Sequence, residues 1–410
     1  MGESFPPEND MSQIPPRGRL APSPTGRIHL GNAFAFLIAW MHARASGGSL
    51  VLRMEDIDPA RSKPEFVEGI LEDLAWLGID WDEGPDRGGP FAPYTQSLRL
   101  GRYAEVLGDL RERGLVYPCF CTRKDLRTLA SAPHIGDEGV PYPGTCRGLS
   151  PTERKTRLAA GARASWRLDV AAALGSLEQS NFEKLLCSGG RANGLRPALV
   201  RDMVSFRHQC GCRTTSAALF LAGSFGSPSA IWFHKHFQNE NASEGAGRDL
   251  TFIDVLRGRL PADPSTCGGD FALMRSDGVF AYQLAVSVDD ADMGITQVVR
   301  GEDLLPSTPR QTLLLRLLGA DIPEFLHVPL ICDHFGERLA KRHRALEVRE
   351  LREAGIASRA VVGYVGFLAG CLPEPMPREA KELVPLFRAE TLAGRAPRLP
   401  ENIAEVLKTL

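Results

Sequence analysis

The 410-residue chain has no long apolar run. None reaches the roughly 18 residues that a membrane-spanning helix needs, which excludes a helical membrane protein. Its start, MGESFPPENDMSQIPP, is polar and proline-rich and has no apolar core segment, so it does not read as a secretory signal. Residues 1–16 are expected to be a disordered lead-in. Charge of one sign is not in excess either: 48 Lys and Arg stand against 50 Asp and Glu, a formal net charge of -2. That balance excludes a strongly cationic nucleic-acid binder, though not a local basic face. Internal repeats are absent. Nine cysteines, an odd number with no export signal, point to reduced thiols or metal ligands rather than disulfides. Against these absences stand 43% hydrophobic and 24% charged residues, ordinary for a soluble globular protein with a sizeable core. The length suggests two or three domains at roughly 150 residues each.

Patterning begins at Arg17. Residues from Arg19 read as a short strand ending at Pro22, then a Pro/Thr/Gly turn over Ser23 to Gly26. An apolar helix over Gly31 to Ala45 is stopped by Gly47 and Gly48. Ser49 to Met54 is an apolar strand running into the acidic Glu55-Asp56-Ile57-Asp58. Pro64 to Leu77 is a helix with proline in its first turn. This strand–helix–strand order predicts an α/β fold with a parallel sheet. Residues 17–109 form the first half of such a domain, and 110–170 carry a cysteine cluster, a helix and a strand. Residues 171–247 are rich in Gly, Ser, Ala and Asn with poor periodicity, and read as an insertion without regular order. α/β patterning returns over 248–335, through Asp249–Asp254, Asp270–Arg275, Ala281–Val288 and Thr296–Arg300, with a helix over Pro309–Leu318. Residues 336–410 hold a basic loop, two helices (about 345–354 and 357–370) and a polar tail. The switch point of the sheet is not locatable from this pattern.

Three motifs carry chemistry. In Ala21-Pro-Ser-Pro-Thr-Gly-Arg-Ile-His-Leu-Gly-Asn32 a strand ends, the chain turns and a helix starts near Gly31. A helix N-terminus beyond a parallel strand offers free N–H groups and a positive dipole end to a phosphate. Gly31 leaves room for a nucleotide, and His29 would donate to a phosphate oxygen. The plain alternative is a turn with a solvent-facing histidine. Glu337-Arg-Leu-Ala-Lys-Arg-His-Arg344 places Arg338, Lys341, Arg342 and Arg344 within seven residues, suited to clamping a triphosphate; the alternative is a solvated basic helix start. Cys119-Phe-Cys121 with Cys146 is a plausible zinc site, whose fourth ligand is Tyr142 or His134; the alternative is three free thiols.

Together these motifs resemble the class I aminoacyl-tRNA synthetases, in the form used by the glutamyl branch. Pro-Ser-Pro-Thr-Gly followed by His29-Leu-Gly-Asn32 resembles the family's HIGH signature, and Arg338 to Arg342 stands in the place of its KMSKS loop. Lys341 matches the functional lysine, while Ala340 replaces the usual serine. Further blocks fit the same branch: Arg53-Met-Glu-Asp-Ile-Asp58, Phe280 to Asp290, and Val299-Arg-Gly-Glu-Asp-Leu-Leu305. The resemblance covers about residues 17–170 and 249–345. It implies a Rossmann-type catalytic domain with a zinc-binding excursion and a short helical C-terminal region. Only 69 residues follow Lys341, too few for an anticodon-binding domain, and the Ser307-Thr-Pro-Arg-Gln311 stretch fits a truncated subfamily. That subfamily activates L-glutamate with ATP in the absence of tRNA. It then esterifies the glutamate onto the cyclopentene-diol of queuosine at the wobble position of tRNA(Asp).

The resemblance also implies site roles. Arg19, Leu20, Ala21, Pro22, Ser23, Glu55, Tyr282 and Arg300 line the glutamate site. An arginine would grip the side-chain carboxylate in a fork and Glu55 would hold the ammonium; the alternative is ordinary surface ion pairing. His29, Gly31, Asn32 and Lys341 bind ATP, which Mg²⁺ accompanies, and His29 and Lys341 are catalytic. The subfamily implies one structural Zn²⁺ on Cys119, Cys121, Tyr142 and Cys146. A cytoplasmic monomer without a membrane partner is expected. A second Cys/His cluster (Cys187, His208, Cys210, Cys212, His234 and His236) lies in the insertion, where the family offers no counterpart. The rival readings are an ordinary glutamyl-tRNA synthetase charging the tRNA 3′ end, a catalytically silent tRNA-binding paralogue, and a HIGH-containing nucleotidyltransferase acting on a small metabolite.

Overall fold

A parallel pair opens the chain. Strand β1 (Arg17–Leu20) pairs with β2 (Ser49–Leu52), and helix α1 (Leu30–Ala45) crosses between them. The structure, a computed structural model, describes residues 15–122, 125, 142–188, 250–337 and 346–410. Leu30, Phe34, Leu37, Ile38 and Met41 recur along α1 at helical spacing and are buried, which presses the helix onto the sheet. Each such side chain contributes about 1.5–3 kcal/mol of transfer free energy. Helix α2 (Pro64–Trp76) follows, then α3 (Leu100–Glu112). Strand β3 (Val116–Cys119), helix α4 (Pro151–Ala159) and strand β4 (Ser165–Leu168) form the excursion, in which β3 and β4 pair antiparallel. Helix α5 (Val170–Ser188) leaves it.

The second half supplies β5 (Thr251–Asp254), β6 (Gly258–Pro261), β7 (Ala272–Met274) and helix α6 (Tyr282–Asp292). Strand β8 (Gln297–Gly301), helix α7 (Thr308–Leu317) and strand β9 (Glu324–Val328) come next. Strand β7 completes the excursion's sheet in the order β3-β4-β7, and the main layer runs β6-β5-β9-β8 with β9 parallel to both neighbours. Thr296 N–H donates to Arg17 O at 2.9 Å and Arg17 N–H to Thr296 Oγ1 at 2.8 Å. The two halves of the α/β domain therefore meet where β1 lies beside β8. This is the switch point, and a crevice at the carboxyl ends of β1, β2 and β8 is the place for a ligand.

Two expectations change. The first 18 residues of the expected insertion are helical, as part of α5, because VAAALGSLEQSNFEKLL is rich in Ala, Leu and Glu and has no proline. The rest of it, 189–249, lies outside the described residues. The polar tail is also not a tail. Beyond α8 (Val348–Glu353) and α9 (Ser358–Leu368), the chain forms α10 (Ala380–Leu383) and α11 (Ile403–Thr409). Leu383, Phe387, Leu392, Leu399, Ile403 and Leu407 are buried in the same core as α1. Gly363 of α9 allows this docking, because a Cβ there would overlap the carbonyl oxygen of Met376. Contacts divide the chain into two units, residues 1–173 with 250–410, and residues 174–249. Only the helical stretch of the second unit, to Ser188, is described. Among the described residues, no helix is long and apolar enough to cross a membrane.

Candidate active site

The ends of β1, β2 and β8 and the start of α6 bring Arg19, Glu55, Arg300 and Tyr282 together. Arg19 and Arg300 are each 5% exposed and Glu55 7%. Arg19 Nη1 donates to Val299 O at 3.0 Å, and its Nε lies 3.7 Å from Asp290 Oδ1. The backbone between β1 and its turn holds Glu55: Leu20 O accepts from Arg53 N–H at 2.8 Å, and Pro22 O accepts from Glu55 N–H at 2.9 Å. Leu20 points its side chain into the core, Pro22 is buried, Ala21 is half-buried and Ser23 is exposed.

Beneath Glu55 sits Arg53, fully buried and two residues away on the same side of an extended backbone. Its Nη2 donates to Glu55 Oε1 at 3.0 Å and its Nη1 to Asp290 Oδ1 at 2.6 Å. Its Nε faces Asp289 Oδ2 at 3.6 Å. Asp289 in turn accepts from Arg99, Gln96 and Tyr103. Burial draws the Glu55 carboxyl above its ordinary range, opposed by the charges of Arg53 and Arg19. Arg53 and Asp290 lie inside the blocks that carried the family resemblance, yet sequence reasoning gave them no role. The signal available was the i, i+2 spacing of Arg53 and Glu55.

Arg300 differs from its neighbours. Its Nε donates to His327 Nε2 at 3.2 Å, its Nη1 to Gln311 Oε1 at 2.6 Å and its Nη2 to Thr308 Oγ1 at 2.8 Å. All three acceptors are neutral, and among the described residues no carboxylate lies within ion-pair distance of it. Burial lowers the Arg300 pKa from its ordinary value, with the Tyr282 hydroxyl pulling the other way; a guanidinium nonetheless stays charged in a protein. Burial, and then the Glu55 carboxylate, raise the pKa of Tyr282, so its hydroxyl stays protonated. Arg19, Arg53 and Arg300 share this region with the carboxylates of Glu55, Asp289 and Asp290, which pair with Arg19 and Arg53 and not with Arg300.

Beside this pocket His29 caps α1. Gly31 N–H and Asn32 N–H donate to its Nδ1 at 3.1 and 3.3 Å, and His29 N–H donates to Asn32 Oδ1 at 3.3 Å. Two of the N–H groups expected to meet a phosphate, those of Gly31 and Asn32, are thus bonded to the imidazole. Nδ1 is then unprotonated, and the ring carries its proton on Nε2. The positive helix end acts through the ring instead of directly. Gly31 makes this possible, since a Cβ there would lie 3.0 Å from His29 Cε1 and 3.1 Å from Nδ1. His29 also forms an antiparallel bridge with Glu347, and Val348 N–H donates to Ile28 O at 2.8 Å. Residues 338–345, including Arg338, Lys341, Arg342 and Arg344, lie outside the described residues.

In the excursion the thiols of Cys119, Cys121 and Cys146 lie within 4.8 Å of one another. Cys121 and Cys146 Sγ are 3.6 Å apart. Tyr142 Oη is 3.3 Å from Cys119 Sγ and 3.9 Å from Cys121 Sγ, and it accepts from Cys146 N–H at 2.7 Å. Tetrahedral zinc with bonds near 2.3 Å to sulfur separates its ligand atoms by about 3.8 Å, so this donor set fits the ion. Arginines surround the cluster. Arg167 lies 4.1 Å over the Tyr142 ring, Arg157 over Phe120 and Arg154 over Tyr117. Positive charge there favours ionised ligands. Burial pushes the Cys121 thiol up to about 12; burial also raises Cys119, but its hydrogen bond with Tyr142, the backbone at Cys121 and the charge of Arg167 outweigh it and hold Cys119 below its ordinary value. His134 lies outside the described residues. In the second cluster Cys187 falls on α5, and its five partners lie outside the described residues.

Residues 17–176 and 243–380 match the family of class I tRNA synthetases (E and Q), catalytic domain. The chain is 47% identical over 392 residues to a glutamyl-Q tRNA(Asp) synthetase of Nitratidesulfovibrio vulgaris, covering 96% of this chain and 98% of that one. It is 40% identical to a protein of the same name from Symbiobacterium thermophilum, covering 94% and 97%. A glutamate–tRNA synthetase structure from Elizabethkingia anophelis shares the fold, with a TM-score of 0.67 and 24% identity over 96% of this chain and 70% of that one.

Proposed function

The chain belongs to the glutamyl-Q tRNA(Asp) synthetase family, within the class I tRNA synthetases, and from that premise we propose that it activates L-glutamate with ATP, without tRNA, and transfers it to the cyclopentene-diol of queuosine in tRNA(Asp). The observation that carries the glutamate reading is Arg300, a buried cation with no carboxylate partner among the described residues, facing the same crevice as Arg19, Tyr282 and Glu55. In this reading the guanidinium of Arg300, aided by Arg19 and Tyr282, takes the side-chain carboxylate. The free oxygen of Glu55 takes the ammonium, while Arg53 keeps Glu55 oriented.

The substrate's α-carboxylate is left facing the α-phosphorus of ATP, presented by the His29 end of α1. A carboxylate oxygen attacks that phosphorus, the bond from phosphorus to the oxygen bridging to the β-phosphate breaks, and pyrophosphate leaves; Mg²⁺ accompanying ATP would supply charge neutralisation to the phosphates. His29 Nε2–H donates to the charge that develops, and Lys341 and its arginine neighbours neutralise the leaving group. The protein's contribution is positioning and electrostatics, without a covalent enzyme intermediate. In the second step a hydroxyl of the diol attacks the activated carbonyl and AMP departs. Cys119, Cys121, Tyr142 and Cys146 would hold a zinc ion, which would supply structure to the excursion and not chemistry.

The test is glutamate-dependent ATP–pyrophosphate exchange by the full chain without tRNA. Exchange that is lost in Lys341→Ala and Arg300→Ala supports the reading. No exchange from folded wild-type protein, with or without tRNA, overturns it.

A further inference from the structure

Behind Arg300 a row of three side chains crosses three adjacent strands. Asp254 ends β5, His327 lies on β9, and Arg300 on β8 is the register partner of His327. His327 and Asp254 are fully buried. His327 Nδ1 lies 2.6 Å from Asp254 Oδ2, and its Nε2 accepts from Arg300 Nε. A guanidinium N–H can only donate. Nε2 must therefore carry a lone pair, and the single ring proton sits on Nδ1, where the Asp254 carboxylate accepts it. Asp254 cannot turn away, because Oδ1 accepts from Leu256 N–H and Arg257 N–H, both at 3.0 Å. The Thr308 hydroxyl, 3.1 Å from Nε2, accepts from Arg300 Nη2. Burial holds the His327 pKa down at about 4, in keeping with a neutral ring between a carboxylate and a guanidinium.

We propose that Asp254 and His327 are positioning residues for substrate recognition: Asp254 fixes the ring tautomer, and the ring orients Arg300 toward the substrate's side-chain carboxylate. The inference rests on the reading of Arg300 as the anchor of that carboxylate. The chemistry favours this device over a direct ion pair. A carboxylate placed on Arg300 would orient it but would also cancel its charge and compete with the ligand. A neutral imidazole, amide oxygen and hydroxyl orient it while leaving the charge whole. Of the five N–H donors of Arg300, three are used by His327, Gln311 and Thr308, and the rest face the Tyr282 hydroxyl and the ligand side.

Three variants of the full, zinc-loaded chain test this: Asp254→Asn, His327→Asn and His327→Gln. Asn at 254 is isosteric, yet in either amide orientation it sets an N–H against another N–H, at the ring or at the backbone of Leu256 and Arg257. Asn at 327 keeps a donor for Asp254 but has no acceptor for Arg300, whereas Gln at 327 reaches the Nε2 position with an oxygen. In pyrophosphate exchange, Asp254→Asn and His327→Asn are expected to raise the glutamate KM about tenfold or more, with the ATP KM within about twofold, while His327→Gln recovers most of the loss. The ¹⁵N-detected Arg300 Nε–H signal, slow to exchange in wild type, should disappear in the first two variants and persist in the third. The proposal is overturned if both His327 variants lose equally, if the glutamate and ATP KM rise together, or if the Nε–H signal survives His327→Asn. No glutamate-dependent exchange in wild type would instead sink the glutamate reading, and the Nε–H signal would still decide whether His327 fixes Arg300.

Discussion

Gly31→Ala separates catalysis from stability at the start of α1. The new methyl would lie 3.0–3.1 Å from the His29 ring, closer than an ordinary contact, so the ring must move away from the helix end by a few tenths of an ångström. The two N–H bonds to Nδ1, already 3.1 and 3.3 Å long, would then be stretched and weakened. Losing an N-cap costs about 0.5–2 kcal/mol. Replacing glycine by alanine within a helix returns about 1 kcal/mol. The two nearly cancel, and unfolding free energy should change by no more than about 1 kcal/mol. The exchange reaction has no such compensation. Misplacing one preorganised donor to a developing charge costs about 10²–10³ in rate. Exchange kinetics and urea unfolding on the same preparation are the assay. An exchange rate within about threefold of wild type would refute the role given to His29.

Other outcomes follow from the same geometry. Gly363→Ala should destabilise the protein by about 2–4 kcal/mol in urea unfolding, because the clash is with backbone and cannot be relieved by a rotamer. Asp73 is buried, and burial raises its pKa to about 6 against the pull of Arg27 and Arg349. A folded value above the unfolded one means that this group's stabilising contribution is present below about pH 4 and lost as pH rises through 6. Asp73→Asn should therefore gain about 1–3 kcal/mol at pH 7 and flatten the pH 4–6 part of the stability curve. If the three thiols and Tyr142 hold zinc as proposed, elemental analysis of the purified protein should find about one zinc per chain, and Cys146→Ser or a strong chelator should remove it and lower the thermal midpoint.

Much of the catalytic half was legible because its signals are local. The β1–turn–α1–β2 order, the Pro64 helix start and the helix now seen over Thr308–Leu317 follow from periodicity and capping within short windows. The three thiols could be grouped from their spacing, whereas Tyr142 was chosen over His134 only through the family resemblance, since Tyr142 reaches Cys119 by a fold of the chain that spacing does not show. The two helices over about 345–354 and 357–370 were legible, and only the stretch after them was misread as a polar tail, for a physical reason. Leu383, Phe387, Leu392 and Leu399 stand singly among prolines and charges and show no helical or strand period, because they anchor irregular chain to α1. The neutral shell of Arg300 was invisible too. Thr308, Gln311 and His327 meet it only through the pairing of β8 with β9 and the return of α7. The switch point likewise depends on β1 lying beside β8, across nearly 280 residues of chain.

The most direct test of the central claim is transfer of labelled glutamate to tRNA(Asp) with and without queuosine, each with its 3′-terminal adenosine removed. Incorporation into the queuosine-containing tRNA alone is the predicted result. Absence of incorporation there, with charging restored only by an intact 3′ end, would contradict the account and mark the protein as a conventional charging enzyme.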